Sequence, residues 1–272
     1  EREGKKELFE NGEKRKSLGN FYREIPVATF LLDDVEKVKG PPEKRRQLLD
    51  EIIISMRPAY KYLKREFEKI LSHRNALLKL HSKESLIEVW DKKFAESSYH
   101  LAKERENASV ELNKKYEIVF KKFIGDKNVT SFIYDSNIKG KDILEIMKAL
   151  KSNREKETRV GRSLIGPQRD DLRIVSGKSK SMRIFGSEGE QKLISIFIKL
   201  AQKEILKERT GMSPVLIVDD PFSEIDEKFV CKIIEALKES DQVILSSLRP
   251  DVLKEQAASL IEIVDGAVVS VG

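Results

Sequence analysis

An unbroken apolar run that ends in two acidic residues constrains this sequence more than any other feature. Residues 215–218 read Val-Leu-Ile-Val and lead directly into Asp219 and Asp220. Such a run is typical of a strand buried on both faces of a mostly parallel sheet. Because open α/β sheets bind ligands at the carboxyl ends of their strands, we expect both carboxylates to lie at a binding edge. There they could hold the hydration shell of Mg²⁺ and orient an attacking water. An ordinary core strand with a solvated end is the alternative interpretation.

The second constraint is a polar helix start upstream of this strand. Residues 186–191 read Gly-Ser-Glu-Gly-Glu-Gln, and the apolar residues between 193 and 205 leave little polar face in the first turns. A helix that is apolar nearly all round is buried. Ser187, with Gly189 nearby, offers a hydroxyl, backbone N–H groups and the positive end of the helix dipole, which together can receive phosphate oxygens. A plain N-cap by Ser187 is the alternative.

A short polar turn after the strand completes the pattern, because residues 223–226 read Ser-Glu-Ile-Asp. In this order, the helix start, the acid-tipped strand and the turn resemble the signature motif, the Walker B strand and the D-loop of ABC-type ATPases. The resemblance implies ATP and Mg²⁺ as cofactors. It assigns residues to the signature motif (Ser187, Glu188, Gly189, Glu190 and Gln191) and to the D-loop (Ser223 and Asp226).

Composition limits the class of protein without identifying it. The 272 residues carry 52 Lys and Arg against 46 Asp and Glu, a net charge of +6, which permits a nucleic-acid partner without requiring one. The single cysteine, Cys231, excludes an internal disulfide, fits a cytoplasmic protein and is expected to be a small buried residue. The three histidines lack Cys or acidic partners at ligand spacing, which disfavours a metal site built on them. No apolar run approaches about 18 residues, so we expect no membrane-spanning helix.

Three helices are predicted in the middle of the chain. They begin at Glu43, at Pro58 and at a capping box formed by Ser85 and Glu88, and the third ends at Gly125. The second and third carry apolar residues at near-heptad spacing and are joined by a short turn. We therefore expect these two helices to fold back on each other as an antiparallel coiled-coil arm.

Strands and further helices are predicted on both sides of this region. In chain order, they are a hairpin at Asn11-Gly12, a helix at 17–22, strands at 27–32 and 129–134, a helix at 142–156, strands at 162–165 and 171–175, a turn at 176–179, a helix at 227–239, a strand at 242–245, a helical turn at Pro250 and a hairpin at Asp265-Gly266. The predicted fold class is α/β: an ABC-type ATPase lobe, with a mixed sheet and flanking helices, and an inserted all-helical arm domain. We assign residues 1–34 and 160–272 to the lobe and residues 35–159 to the arm.

Five segments make the resemblance more specific. They read VKGPPEKRRQLLD (38–50), RNALLK (74–79), GPQRDDL (166–172), FGSEGEQK (185–192) and VLIVDDPFSEID (215–226). In this order they are similar to the RecF family of bacterial DNA replication and repair proteins. The resemblance implies an SMC-like ABC ATPase that forms a homodimer on ATP and binds double-stranded DNA and single-/double-strand junctions near gaps. It also implies RecR and RecO as partners in loading the recombinase RecA.

The resemblance implies a role for individual residues. Asp219 would be the Walker B carboxylate that binds Mg²⁺, and Asp220 would be the catalytic base or water-orienting acid. The signature motif around Ser187 would contact the γ-phosphate held by the other subunit. Because phosphoryl transfer depends mainly on positioning and charge neutralisation, a site split between two chains makes ATP the link that holds the dimer. Hydrolysis then releases the dimer.

Three features depart from the family pattern. No G-x-x-x-x-G-K-[ST] phosphate loop is present, and because family members carry this loop near the N-terminus, we interpret the chain as an N-terminally truncated piece that alone binds ATP poorly. Ser246 and Ser247 follow the predicted last strand of the lobe, where many ABC ATPases have a histidine, so one of these serines could sense the nucleotide. Gln168 stands where the family often has histidine, and the neighbouring Arg169 is a candidate for nucleotide or interface contact.

Other interpretations stay open. Lys44, Arg45 and Arg46 could contact DNA phosphates, and a solvated helix face also explains them. The chain could be a non-catalytic helical interaction module or another SMC-like or RecN-like repair ATPase, although the latter needs a longer coiled coil than residues 58–124 can form. A transporter ATPase subunit has no place for the coiled-coil arm or for residues 166–172.

Overall fold

The computed structural model describes residues 9–10, 12–14, 25–126, 129–176, 180–181, 187–249, 253 and 259–271. Three short strands are followed by four helices, and strands and helices then mix along the rest of these ranges. In chain order they are β1 (Phe9–Glu10), β2 (Glu13–Lys14), β3 (Val27–Phe30), α1 (Leu32–Lys39), α2 (Pro42–Met56), α3 (Tyr60–Lys79), α4 (Glu84–Ile124), β4 (Thr130–Asp135), α5 (Ile143–Val160), a 3-10 helix (Pro167–Arg169), β5 (Asp171–Ser176), β6 (Lys180–Ser181), α6 (Glu188–Thr210), β7 (Val215–Asp219), α7 (Glu227–Lys238), β8 (Val243–Ser246), β9 (Ile261–Val264) and β10 (Ala267–Val271).

Strands β3, β7 and β8 form a parallel sheet with β7 in the centre. The side chains of Leu216 and Val218 are buried, as expected for an interior strand. Because the three strands run in the same direction, their carboxyl ends meet at one edge of the sheet, where Asp219 pairs with Ser246. The strands predicted near residues 27–32, 215–218 and 242–245 are confirmed.

Helix α6 is the central element of the core. Almost every residue from Gln191 to Leu206 is buried, because the helix contacts β3 on one side and helices α1, α2 and α4 on others. Phe197 packs against Phe120 of α4 with ring centroids 5.4 Å apart. The expectation that a helix apolar nearly all round is buried is therefore confirmed.

A buried ion cluster ties α1 to α6. Asp34 is 2% exposed, and its Oδ1 atom lies 3.0 Å from Lys199 Nζ and 3.3 Å from Lys37 Nζ. Its Oδ2 atom accepts a hydrogen bond from Leu31 N at 2.9 Å and so also caps the start of α1. Burial opposes the charged form of Lys37, but its hydrogen bond to Glu51 and the charges of Asp34 and Glu51 raise its pKa to about 12.

Helices α3 and α4 form an antiparallel hairpin. Phe67 packs on Phe94 with ring centroids 5.6 Å apart, and His73 stacks on Trp90 at 4.8 Å. Helix α5 packs against both helices, and the C-terminal part of α4 continues past the hairpin to contact α6 and α7. The description of this hairpin as a coiled-coil arm stays a prediction, as do the predicted domain boundaries.

A second sheet, antiparallel, contains β4, β5 and β6. The side chains of β4 alternate between buried and exposed, which is the pattern of a strand with one covered face. In the described ranges the strands therefore form one parallel and one antiparallel three-stranded sheet, besides two two-stranded hairpins, instead of one mixed sheet. The two predicted hairpins are confirmed, since β1 pairs with β2 around Gly12 and β9 pairs with β10 around Asp265-Gly266.

The strand predicted over residues 162–165 is wrong. The backbone N–H groups of Ser163 and Leu164 donate to side chains, those of Asn75 at 2.8 Å and Glu157 at 2.7 Å, instead of to a neighbouring strand. Side-chain acceptors from two helices therefore take the hydrogen bonds that a sheet would use.

Two further local predictions are wrong. Helix α4 begins at Glu84, so Ser85 and Glu88 lie inside the helix and do not form its capping box. Cys231 is exposed, because it follows Val230, which lies on the buried face of α7, and one residue turns a helix by about 100°.

Some expectations concern residues outside the described ranges, namely the helix at 17–22, the centre of the turn at 176–179 and the helical turn at Pro250. Among the helices that the structure does describe, none combines the length and apolarity needed to cross a membrane.

Candidate functional site

The carboxyl edge of the parallel sheet brings three predicted site residues together. The Ser246 hydroxyl donates to Asp219 Oδ1 at 2.5 Å, and Asp220 N donates to Ser246 O at 3.1 Å. Asp220 has a φ of +41°, a left-handed conformation that is uncommon for residues other than glycine. Its Oδ1 atom is buried and has no hydrogen-bond partner within the described residues. The strand tip therefore presents one carboxylate oriented by a serine and one that can accept a further hydrogen bond.

Ser247 lies differently from Ser246. Its hydroxyl oxygen accepts a hydrogen bond from Arg249 N at 3.0 Å, away from the two carboxylates. Of the two serines considered as a nucleotide sensor, Ser246 is therefore the one in contact with the acidic pair.

The turn that follows β7, residues 221–226, is held in place by two buried side chains, Phe222 and Ile225. Glu224 has a φ of +62° and is left-handed like Asp220, which directly precedes this turn. Asp226 is exposed just before α7, and its carboxylate lies 3.0 Å from Lys228 Nζ.

The start of α6 lies against this turn. Ser187 Oγ accepts a hydrogen bond from Glu190 N at 3.2 Å, and Glu190 Oε2 accepts one from Ser187 N at 2.9 Å, which together form a capping box. The hydroxyl proton of Ser187 remains available for a further acceptor. A Cβ atom at Gly189 would lie only 2.8 Å from Glu224 O, so a glycine is required for this close approach. Of the remaining predicted signature residues, Glu188 is exposed and Gln191 is buried.

Lys192, which was not among the predicted site residues, completes the contact between helix and turn. Its side chain is 2% exposed, and its Nζ atom donates to Ser223 O at 3.0 Å and to Ser223 Oγ. Burial lowers the pKa of Lys192, while the charges of Asp220, Glu224 and Asp219 act in the opposite direction. The sequence contains one signal for this role, because Lys192 lies in the first turns of a helix that is otherwise apolar nearly all round. A buried ammonium needs partners, so such a lysine is expected to bond a neighbouring element.

This arrangement fits a nucleotide-bound magnesium ion. Mg²⁺ usually keeps several waters and takes only one or two carboxylates from the protein, together with phosphate oxygens. The described residues contain no group of three or more His, Cys, Asp or Glu that could form an all-protein metal cage. Asp219 is the carboxylate suited to the ion, and the unpartnered Oδ1 atom of Asp220 is suited to accept a hydrogen bond from water.

The three basic residues considered for DNA contact have different surroundings. Arg45 is 5% exposed and donates from Nε and Nη2 to the two carboxylate oxygens of Asp171, each at 2.7 Å. It therefore has a structural role instead of the predicted phosphate contact. Arg46 is half-buried and donates to Asp170 O at 2.6 Å, whereas the Lys44 side chain is 44% exposed, with its Nζ atom 3.8 Å from Asp33 Oδ1.

The GPQRDDL segment, residues 166–172, is mostly buried. Arg105 donates to Pro167 O at 2.8 Å, and the buried Asp170 side chain accepts a hydrogen bond from Tyr134. Burial raises the pKa of Asp170, and the hydrogen bond from Tyr134 only partly offsets this effect. Arg169, by contrast, is exposed, and its side chain makes no hydrogen bond or ion pair with any residue that the structure describes. Its predicted contact with nucleotide or an interface stays a prediction.

Comparisons with known proteins place the chain in a family. No protein-family model matches the sequence. The chain is 31% identical over 261 residues to the DNA replication and repair protein RecF of Alkaliphilus oremlandii, which covers 93% of this chain and 71% of the relative. It is 34% identical over 196 residues to RecF of Leptospira interrogans, covering 72% of this chain and 53% of the relative.

A solved structure agrees with these relatives. The recombination mediator protein RecF with ATP, described as part of the RecFOR pathway, superposes with a TM-score of 0.79 at 27% identity, covering 98% of this chain and 74% of that one. Against these proteins the chain spans between about half and three quarters of their lengths. Because it shares 31% identity with a RecF protein over 71% of that protein's length, the chain belongs to the RecF family of DNA replication and repair proteins.

Proposed function

We propose that the full-length protein is an ATP-dependent DNA-binding protein of recombinational repair and replication restart. The observation that carries this proposal is the edge formed by Asp219, Asp220 and Ser246, with the start of α6 packed against the turn beside it. Two solved RecF structures that resemble the chain are described with ATP and with ATPrS. The family and the site therefore support the same cofactor.

In this proposal each acidic residue has one task. Asp219, oriented by Ser246, binds Mg²⁺, which would neutralise charge on the phosphates. Asp220 accepts a hydrogen bond from the attacking water. The start of α6 at Ser187 contacts the γ-phosphate held by a second copy of the chain, and Ser223 and Asp226 lie across the same interface. ATP then holds two copies together, and its hydrolysis separates them.

The DNA and protein partners follow from the family. We propose that the ATP-bound homodimer binds double-stranded DNA and single-/double-strand junctions at gaps, and acts with RecR and RecO to help load the recombinase. We also propose the helical arm domain, with its coiled coil, over residues 35–159 and the ATPase lobe over residues 1–34 and 160–272. Because the 272 residues contain no G-x-x-x-x-G-K-[ST] phosphate loop, they should bind ATP only weakly on their own. Micromolar ATP affinity of this chain in calorimetry would contradict that expectation.

Asp220→Asn tests the catalytic assignment in the full-length protein. An amide cannot act as a base, so ATP hydrolysis should fall about 100-fold or more, while ATP still induces the dimer. Asp241→Asn, an exposed residue before β8, is the matched control and should keep wild-type turnover. Wild-type turnover in the Asp220 variant would refute the assignment. A full-length wild type with no hydrolysis at all would favour the non-catalytic interaction module.

Ser246→Ala and Ser247→Ala separate the two possible sensors. The Ser246 variant loses the hydrogen bond to Asp219 Oδ1, so its kcat should fall about tenfold. The Ser247 variant loses only a contact to Arg249 N and should turn over at nearly the wild-type rate. Equal loss in both variants would exclude Ser246 as the orienting residue.

Lys44→Ala tests the DNA surface on α2. If Lys44 contacts a phosphate, DNA affinity falls for all sequences, and the dependence of log affinity on log salt becomes shallower by about 0.9. Lys207→Ala, an exposed lysine at the end of α6, is the control. An unchanged salt slope in the Lys44 variant would remove α2 from the DNA surface.

A further inference from the structure

Lys192 is a buried charged residue that has no role in the proposed chemistry. It lies in the second turn of α6, one helical turn beyond Ser187, and is 2% exposed. Holding an ammonium in the interior is costly unless hydrogen bonds and opposite charges compensate it. Here the compensation comes from Ser223, through both its carbonyl and its hydroxyl, and from the nearby acidic residues of the strand tip and turn.

The turn that Lys192 holds is conformationally strained. Asp220 and Glu224 both have positive φ angles, +41° and +62°, and a residue other than glycine keeps such a conformation only where its surroundings enforce it. Lys192 contacts Ser223, between these two residues, and Gly189 lets the helix backbone come close to Glu224 O. Two contacts from the same helix end therefore fix the turn that follows the catalytic strand.

On the basis of the ATPase function proposed above, we propose that Lys192 is a positioning residue that couples the two nucleotide sites of the dimer. In each subunit, the start of α6 faces the phosphate of one site, whereas Asp219 and Asp220 belong to the other. A displacement of α6 on phosphate binding is transmitted by Lys192 to Ser223 and from there along the turn to Asp220. Binding of ATP at one site thereby changes the position of Asp219 and Asp220 at the second site.

Hydrogen exchange on the 272-residue chain tests the positioning role without nucleotide. Lys192→Met removes the ammonium but keeps most of the side-chain volume, so the amide of Asp220 just before the turn, which donates to Ser246 O, should exchange at least tenfold faster. Lys192→Arg keeps a charged donor and should restore most of the protection. Lys203→Met is the matched control, because Lys203 is also 2% exposed on α6 but bonds to Ser240, away from the turn. If Lys192→Met and Lys203→Met exchange alike at Asp220, Lys192 is an ordinary buried lysine and the proposal is overturned.

ATP turnover of the full-length protein tests the coupling. The wild type should show cooperative dependence on ATP, and Lys192→Met should lower the Hill coefficient towards one, with a smaller loss in kcat than Asp220→Asn causes. Lys203→Met should keep the wild-type cooperativity. An unchanged Hill coefficient in Lys192→Met would overturn the coupling. Absence of any turnover in the wild type would instead refute the proposed ATPase function, and the exchange result would still decide the positioning role.

Discussion

Glu157→Gln should be among the most destabilising single-atom changes in this chain. Glu157 is 0% exposed and accepts hydrogen bonds from Arg74 Nη2 at 2.6 Å and from Leu164 N at 2.7 Å. Arg74, also fully buried, bonds Asp91 at 2.9 Å, and Asp91 in turn pairs with Arg154. Two guanidinium groups thus balance two carboxylates. The substitution leaves one buried positive charge without compensation.

The expected loss of stability is about 3–5 kcal/mol, the cost of breaking a buried ion pair by removing one partner. The two donors bond different oxygens of Glu157, and glutamine replaces one of these oxygens by an NH₂ group, which cannot accept a hydrogen bond. The free energy of unfolding falls by about 1–3 kcal/mol for each molar of urea, so the urea concentration at the unfolding midpoint should fall by about 1 M or more. Urea unfolding of the 272-residue chain, followed by circular dichroism, measures this shift.

A control on the same helix makes the result interpretable. Glu155 is 89% exposed at the side chain and lies 3.6 Å from Arg159, so Glu155→Gln should change stability by less than about 0.5 kcal/mol. The double variant Arg74→Met/Glu157→Met leaves Asp91 paired with Arg154 and should be more stable than Glu157→Gln alone, because no buried charge is then unbalanced. Equal midpoints for Glu157→Gln and Glu155→Gln, or a double variant less stable than the single one, would refute the reasoning.

Other substitutions test the remaining buried polar and backbone features. Lys37 has a pKa of about 12 in the folded chain against 10.5 ordinarily, so its contribution of about 2 kcal/mol is present below pH 10.5 and is lost as the pH rises through 12. The Lys37→Met variant should lack this part of the stability loss at alkaline pH, and urea unfolding at increasing pH measures it. Gly166→Ala should cost about 3 kcal/mol, because Gly166 has a φ of +118° and a Cβ there would lie 2.7 Å from the Phe94 ring; thermal unfolding measures it. Arg45→Lys should cost about 1–3 kcal/mol in the same assay, because a lysine cannot make both bonds to Asp171.

Features set by neighbouring residues could be predicted from the sequence. The strand at 215–218, the hairpin turns and the start of α5 each have a local cause. Asp142, for example, caps α5 and accepts from Glu145 N at 2.8 Å, a contact between residues three apart. The acid-tipped strand was recognisable because burial on both faces leaves few sequence patterns other than a continuous apolar run.

Features that depend on distant partners could not be predicted. Arg45 looks like one of three solvated cations, and only the fold brings Asp171, 126 positions away, against it. The segment 162–165 has strand-like composition, but acceptors from α3 and α5 take its amides. Lys192 could be suspected from its buried helix, but its partner Ser223 depends on how that helix packs against the turn.

Three of the five family-like segments meet at one end of the antiparallel sheet, where they contact the helical hairpin and each other. Arg105 of α4 donates to both carboxylate oxygens of Asp50, at 2.9 and 3.0 Å, and to Pro167 O in GPQRDDL. Asn75, in RNALLK, accepts from the backbone and the hydroxyl of Ser163, each at 2.8 Å. With the Arg45 pair to the same GPQRDDL segment, these contacts form a junction built from buried polar groups.

The buried polar junction and the partly exposed edge of the parallel sheet should respond differently to substitution. In the junction, every group that loses its partner is left unsatisfied in the interior, so substitutions at Asp50 or Asp171 should destabilise the 272-residue chain whether or not nucleotide is present. At the edge formed by Asp219, Asp220 and Ser246, water can replace most lost contacts, so substitutions there should change stability little. Their effect should appear only when the full-length protein hydrolyses ATP. The residues Pro167, Asp170 and Asp171 of GPQRDDL therefore make structural contacts that are separate from the acidic edge.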